Sequence, residues 1–171
     1  MEEMAMRMAA VWMIVLLALA VHDTATAQSR LPDSEPTLCD EGEDVYFSCP
    51  LENGKTVSVC AKGNTSPARG YVSYRYGTAG DVFAFPSEHV PPAKLAGITD
   101  VSEGSIRGLH LKFAKGPYTY IVSSVSPGGV YVLKHDTVVF DQACRASADK
   151  HFANAVFDGI DPAPLTKADR H

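Results

Sequence analysis

Apolar and polar positions alternate with a period of two through most of this chain, the signature of strands that bury one face. From Tyr71 to Tyr76, Val72, Tyr74 and Tyr76 share one face while Tyr71, Ser73 and Arg75 share the other. Leu109, Leu111 and Phe113 alternate in the same way with His110 and Lys112. Gly, Pro, Asn and Asp stand between the runs, where positive φ or a missing N–H interrupts pairing. This punctuation predicts seven or eight short strands, over residues 45–49, 56–60, 71–76, 82–85, 106–113, 118–125, 130–133 and 137–140. A Pro-rich connector separates Pro86 from Gly97. A helical period emerges only from Ser147 to Phe157, where Ser147 or Asp149 caps a short helix that buries Phe152 and Val156 before Asp158-Gly159 stops it. With no helix between strands a parallel sheet is excluded, so the fold class is all-β: an antiparallel sandwich or small barrel with a short C-terminal helix.

The strongest local signal is Asn53-Gly54, flanked by Val45–Cys49 and Thr56–Cys60. A two-residue turn there pairs Glu52 with Lys55, Cys49 with Ser58 and Phe47 with Cys60, which makes Cys49 and Cys60 diagonal neighbours on one face. The four cysteines, Cys39, Cys49, Cys60 and Cys144, are too widely spaced for a zinc site and read as two disulfides. Three connectivities are open; the hairpin register favours Cys49 with Cys60 and Cys39 with Cys144.

An apolar run from Ala9 to Val21, followed by Ala25-Thr26-Ala27, reads as an export signal cleaved before Gln28. Glu2 and Glu3 are foreign to the basic start of such a signal, which points to Met4 or Met6 as the true first residue. The run is too short for the rival reading, an uncleaved anchor, and no membrane span is expected after cleavage. The chain therefore divides into a signal (1–27), an N-terminal extension (28–44), one disulfide-stapled β domain (45–158) and a disordered tail (159–171), located in the periplasm or secreted. The whole chain carries a net charge of -5, and the part after residue 27 stays acidic, so nucleic acid is not an expected partner. The single tryptophan, Trp12, lies in the signal, which leaves no Trp platform for a sugar.

Catalytic chemistry has little to stand on. There is no G-x-S-x-G elbow, and no metal or cofactor motif is legible. His110 and His135 with nearby carboxylates are the nearest approach to a general-base site, and His135-Asp136 reads more simply as a polar turn. Asp40, Glu41, Glu43 and Asp44 surround Gly42 without the twelve-residue calcium-loop pattern, and read as a solvated loop. Asn64-Thr65-Ser66 has the form of a glycosylation acceptor. The richest surface candidate is the set Tyr71, Tyr74, Arg75, Tyr76, Tyr118 and Tyr120, since Tyr and Arg combine large contact area with polar ends. Alternation lets only one pair face outward, either Tyr71 with Arg75 or Tyr74 with Tyr76.

The order Phe47-Ser48-Cys49, Asn53-Gly54-Lys55, Val57-Ser58-Val59-Cys60, Tyr74-Arg75-Tyr76-Gly77, Tyr118-Thr119-Tyr120 and Gly129-Val130-Tyr131-Val132 resembles that of small exported β-rich proteins of proteobacteria. The resemblance covers Val45 to Cys144 and implies a bacterial envelope setting, without implying a reaction. The resulting expectation is a non-enzymatic binding protein of the envelope, with an envelope or host protein as partner and inhibition of a hydrolase as one form of it. The alternatives are an envelope enzyme with a His/carboxylate site and a passive structural component.

Overall fold

The computed structural model describes residues 36–145 and 150–170, so the predicted signal, and the start of the predicted helix at Ser147, lie outside the described residues. Among the described residues, nine strands form two antiparallel sheets. The first holds β1 (Asp44–Pro50), β2 (Thr56–Lys62), β3 (Tyr71–Thr78) and β4 (Asp81–Phe85), paired in chain order. The second holds β5 (Ala96–Asp100), β6 (Leu109–Lys115), β7 (Tyr118–Ser123), β8 (Gly129–Lys134) and β9 (Thr137–Ala143), again in chain order. The all-β sandwich expected from the alternation is thus present, with one strand more than predicted. That strand, β5, lies at the end of the supposed connector; its Ala-Gly-Ile-Thr-Asp sequence is too short and mixed to reveal a period. The predicted helix shrinks to one turn, α1 (Val156–Gly159).

Both inner faces contribute to one core. Phe47, Val57, Val59, Val72 and Tyr74 come from the first sheet, and Ile98, Leu111, Phe113, Val122 and Val130 from the second. Phe152, Val156 and Ile160, around α1, close it. At one seam the sheets meet: Leu51 pairs with Cys144, and the Glu52 N–H donates to the Ala143 carbonyl at 3.1 Å.

The first hairpin corrects the expected register. Its loop has three residues, Glu52-Asn53-Gly54, closed by the Leu51 N–H to the Lys55 carbonyl at 2.7 Å, with Gly54 at φ 82°. A left-handed residue at the end of a three-residue loop strongly favours glycine. The extra loop residue pairs Cys49 with Val57, and Phe47 with Val59. A slip of one residue exchanges the faces, so Cys49 points into the core and Cys60 away from it. The disulfides are accordingly Cys39–Cys60 and Cys49–Cys144, and the favoured pairing of Cys49 with Cys60 and Cys39 with Cys144 is overturned. Cys49–Cys144 ties β1 to the end of β9 beside the Leu51 seam.

The outer faces are not left to solvent. Residues 36–43 of the N-terminal extension lie over the first sheet, where Ser58 is fully buried beneath the Leu38 N–H at 2.9 Å. The segment expected to be a disordered tail lies over the second sheet. Pro162 pairs with Ile98 in parallel, the Ala163 N–H donates to the Ile98 carbonyl at 2.7 Å, and a 3-10 turn follows at Lys167–Arg170. Gly97 permits this approach, because a Cβ there would fall 2.7 Å from that of Ala163.

Candidate functional site

The predicted pair Tyr71 and Arg75 does face outward from β3, but the N-terminal arm consumes both. Arg75 donates to the Leu38 carbonyl and to Glu43 Oε1, each at 2.7 Å, and pairs with Asp40 at 3.0 Å. The Tyr71 hydroxyl donates to the same Glu43 oxygen at 2.7 Å, and its ring stacks on His89 with centroids 3.8 Å apart. Burial, then the Glu43 hydrogen bond and charge, push the Tyr71 phenol up to about 12 against the opposing pull of Arg75. Two of the four acids read as a solvated loop, Asp40 and Glu43, are therefore the counter-charges of a buried arginine. Cys39, Glu43 and Cys60 form a trio at metal-ligand distance, yet both sulfurs are spent in the disulfide.

The acceptor-like Asn64 is also engaged. Its amide donates to the carbonyls of Ser66, Arg69 and Gly159 at 2.9 to 3.0 Å, and its Oδ1 accepts from the Tyr46 hydroxyl at 3.0 Å. It is a structural clamp between the 62–70 loop and α1, with no amide hydrogen turned to solvent.

Of the histidines, His110 gains a partner that the sequence did not suggest. Its Nδ1 lies 3.0 Å from Asp169 Oδ1 and 3.2 Å from the Tyr131 hydroxyl. Asp169 Oδ2 accepts from Lys112 at 2.9 Å and from the Thr166 N–H and hydroxyl at 2.7 and 2.9 Å. Burial opposes the charge on Asp169, but these donors outweigh it and hold the carboxyl at about 2. Burial pulls His110 below its ordinary value, against the attraction of Asp169, so the ring favours its neutral form. The pair borders a cleft of about 740 Å³ also lined by Asp100, Ser102, Glu103 and Arg170. His135 is not part of it. His110 pairs with Ser123 whereas Lys134, beside His135, pairs with Tyr118; five residues along β7 separate the two levels by about 16 Å.

A different cavity gathers the aromatic residues. Tyr74 and Tyr76 of β3, Phe83 of β4, Tyr120 of β7, Val132 of β8 and Phe140 of β9 line a mouth of about 220 Å³ between the sheets. The register explains it: Tyr76 pairs with Phe83 across β3 and β4, and Tyr120 with Val132, which pairs with Phe140. All lie on inner faces, but the core fill stops short of them. Tyr74 is sealed at the base of the mouth, and its burial pushes its phenol far up. Phe83, by contrast, is 38% exposed. Rings meet across the sheets, Tyr76 with Phe140 at 5.3 Å and Phe83 with Tyr120 at 5.6 Å. Three lysines lie over the same aromatic surface: Lys55 over Tyr76 at 4.9 Å, Lys115 over Phe83 at 5.1 Å and Lys134 over Tyr118 at 5.8 Å.

Of the predicted binding residues, then, Tyr71 and Arg75 hold the arm, Tyr74 belongs to the core and Tyr76 alone reaches the rim of an open cavity. Phe83 and Phe140 were missed as site residues, although each sits at an inward step of an alternating strand. Among the described residues no helix is long and apolar enough to cross a membrane. No family model, curated protein or solved structure matches this chain.

Proposed function

We propose that this chain is an exported binding protein of the bacterial envelope that takes an apolar group into the mouth between its sheets and catalyses no reaction. The observation that carries this reading is the aromatic mouth itself. Packed interiors leave few voids larger than a water molecule, whereas here five aromatic side chains border about 220 Å³ open to solvent. Concave apolar surface of this kind is the usual form of a ligand site. Two disulfides support the exported setting, since such bonds persist in oxidising compartments. The test is a titration with the fluorescent probe 1-anilinonaphthalene-8-sulfonate: saturable binding by the native protein, weakened at least about tenfold in a Phe140→Ala variant whose amide spectrum shows the native fold, supports the reading, since burying an aromatic side chain is worth more than about 1.4 kcal/mol. Equal binding by both proteins, or none, rejects it.

A second reading attaches to His110, whose Nδ1 is oriented by Asp169 and whose Nε2 makes no hydrogen bond among the described residues, beside a cleft of about 740 Å³. An oriented neutral imidazole is what a general base requires. Hydrolysis of 4-nitrophenyl acetate above the rate of free imidazole, abolished in His110→Gln, would favour this enzyme over the binding protein.

A further inference from the structure

The walls of the mouth are apolar, but its rim is cationic. Lys115 and Lys134 occupy inner-face positions of the second sheet: Lys115 pairs with Tyr118, which pairs in turn with Lys134. They continue the rows Leu111-Phe113 and Val130-Val132, so alternation carries them toward the mouth and not toward the outer face. Lys55 approaches from the first hairpin, with its Nζ over Tyr76. Lys115 lies over both Phe83 and Phe85, at 5.1 and 5.2 Å. None of the three has a carboxylate within ion-pair distance among the described residues. In a protein with an overall charge of -5, an unpaired cationic rim around an apolar hollow stands out as local complementarity for an anion.

Resting on the binding reading above, we infer that the mouth selects a free single-chain amphiphile with an anionic end, a medium-chain fatty carboxylate, with its chain among Tyr76, Phe83, Tyr120 and Phe140 and its carboxylate at the rim lysines. The volume sets the size of the apolar part: at about 30 Å³ per water-sized group, 220 Å³ accommodates roughly seven such groups, close to an eight-carbon chain. The concavity also favours one chain over a membrane surface, which would need a protruding apolar face.

The experiment compares sodium octanoate with 1-octanol at pH 7 by calorimetry and by amide chemical shifts of the native protein. The two share a chain and differ in charge. Octanoate is expected to bind about tenfold more tightly, with shifts centred on Tyr76, Tyr120 and Phe140, and its advantage should fall to about twofold in Lys55→Gln/Lys115→Gln/Lys134→Gln and in 1 M NaCl, where the Debye length is about 3 Å. Equal affinity for the two compounds, with the same shifts, would overturn the anionic selectivity while leaving the binding reading intact; lysines that merely shield exposed rings give this result. Shifts away from the mouth, or no binding of either, would overturn both. Binding to vesicles containing an anionic phospholipid without binding of octanoate would also overturn the inference, in favour of a membrane surface.

Discussion

The two outer faces of this sandwich present the same problem and solve it with opposite arrangements of charge. Over the first sheet a buried cation, Arg75, stands on the strand and the acids Asp40 and Glu43 arrive on the N-terminal arm. Over the second, His110 and Lys112 stand on the strand and the buried acid, Asp169, arrives on the C-terminal segment. The arm is also bonded covalently by Cys39–Cys60, whereas the described residues of the C-terminal segment are held by hydrogen bonds, ion pairs and packing alone. Polar termini can therefore complete a fold when buried charges find partners on the sheet, and the covalent staple decides which end depends on those charges.

The most severe way to break this symmetry is Asp169→Asn. It leaves Lys112, whose side chain is almost wholly covered, without its counter-charge, a change that costs about 4 kcal/mol where a buried pair loses one member. Urea unfolding should show that loss, and limited proteolysis should cut first within residues 161–170. The corresponding change at the other face, Cys39→Ser with Cys60→Ser, opens a link spanning 21 residues, and loop-closure entropy sets the cost at about 3 kcal/mol. Cleavage should then move to the N-terminal arm, with the C-terminal segment still protected.

Acid should distinguish the faces next. Asp169, held at about 2, stabilises the fold above the ordinary aspartate value near 3.9, and its contribution of about 2 kcal/mol is lost as pH falls from about 4 to 2. His110, with its folded value lowered, works in the same direction, since the unfolded state takes up its proton first as pH drops below about 6.5. Amide exchange measured from pH 7 to pH 3 should therefore show residues 161–170 opening before residues 36–43. The arm has the converse weakness. With the Tyr71 phenol raised to about 12, its contribution is present below about pH 10 and is lost as pH rises through 12, and tyrosine absorbance against pH should show a late step that coincides with release of the arm.

The smallest expected effect is that of Glu43→Gln. Arg75 would retain the Leu38 carbonyl and Asp40, and the disulfide would hold the arm in place. A loss of about 1 to 2 kcal/mol, with the arm still protected from protease, is the expected outcome in urea.

The architecture was legible because period-two alternation and Gly or Pro turns are local signals, and Val72, Tyr74, Leu111 and Phe113 point inward as the pattern requires. What the pattern could not show was a one-residue difference in loop length. Asn53-Gly54 fits a two-residue turn equally well, and that single residue exchanged the faces of Cys49 and Cys60 and with them the disulfide map. Nor could alternation reveal the covering of the outer faces, since Asp40 and Glu43 read as part of a solvated loop, and Asp169 falls in a segment read as a disordered tail, until Arg75, His110 and Lys112 are brought against them. The cavity was half legible. Tyr76 and Tyr120 were in the aromatic set, but Phe83 and Phe140 stood in predicted strands with nothing to single them out, because whether an inward ring is packed or open depends on how closely the opposite sheet approaches.

The binding role of the mouth is tested most directly by nuclear Overhauser effects between octanoate protons and the aromatic rings of the labelled protein. Contacts from the methyl end of the chain to Tyr76, Phe83, Tyr120 and Phe140 are predicted. Contacts confined to other surfaces, or none at saturating octanoate, would contradict it.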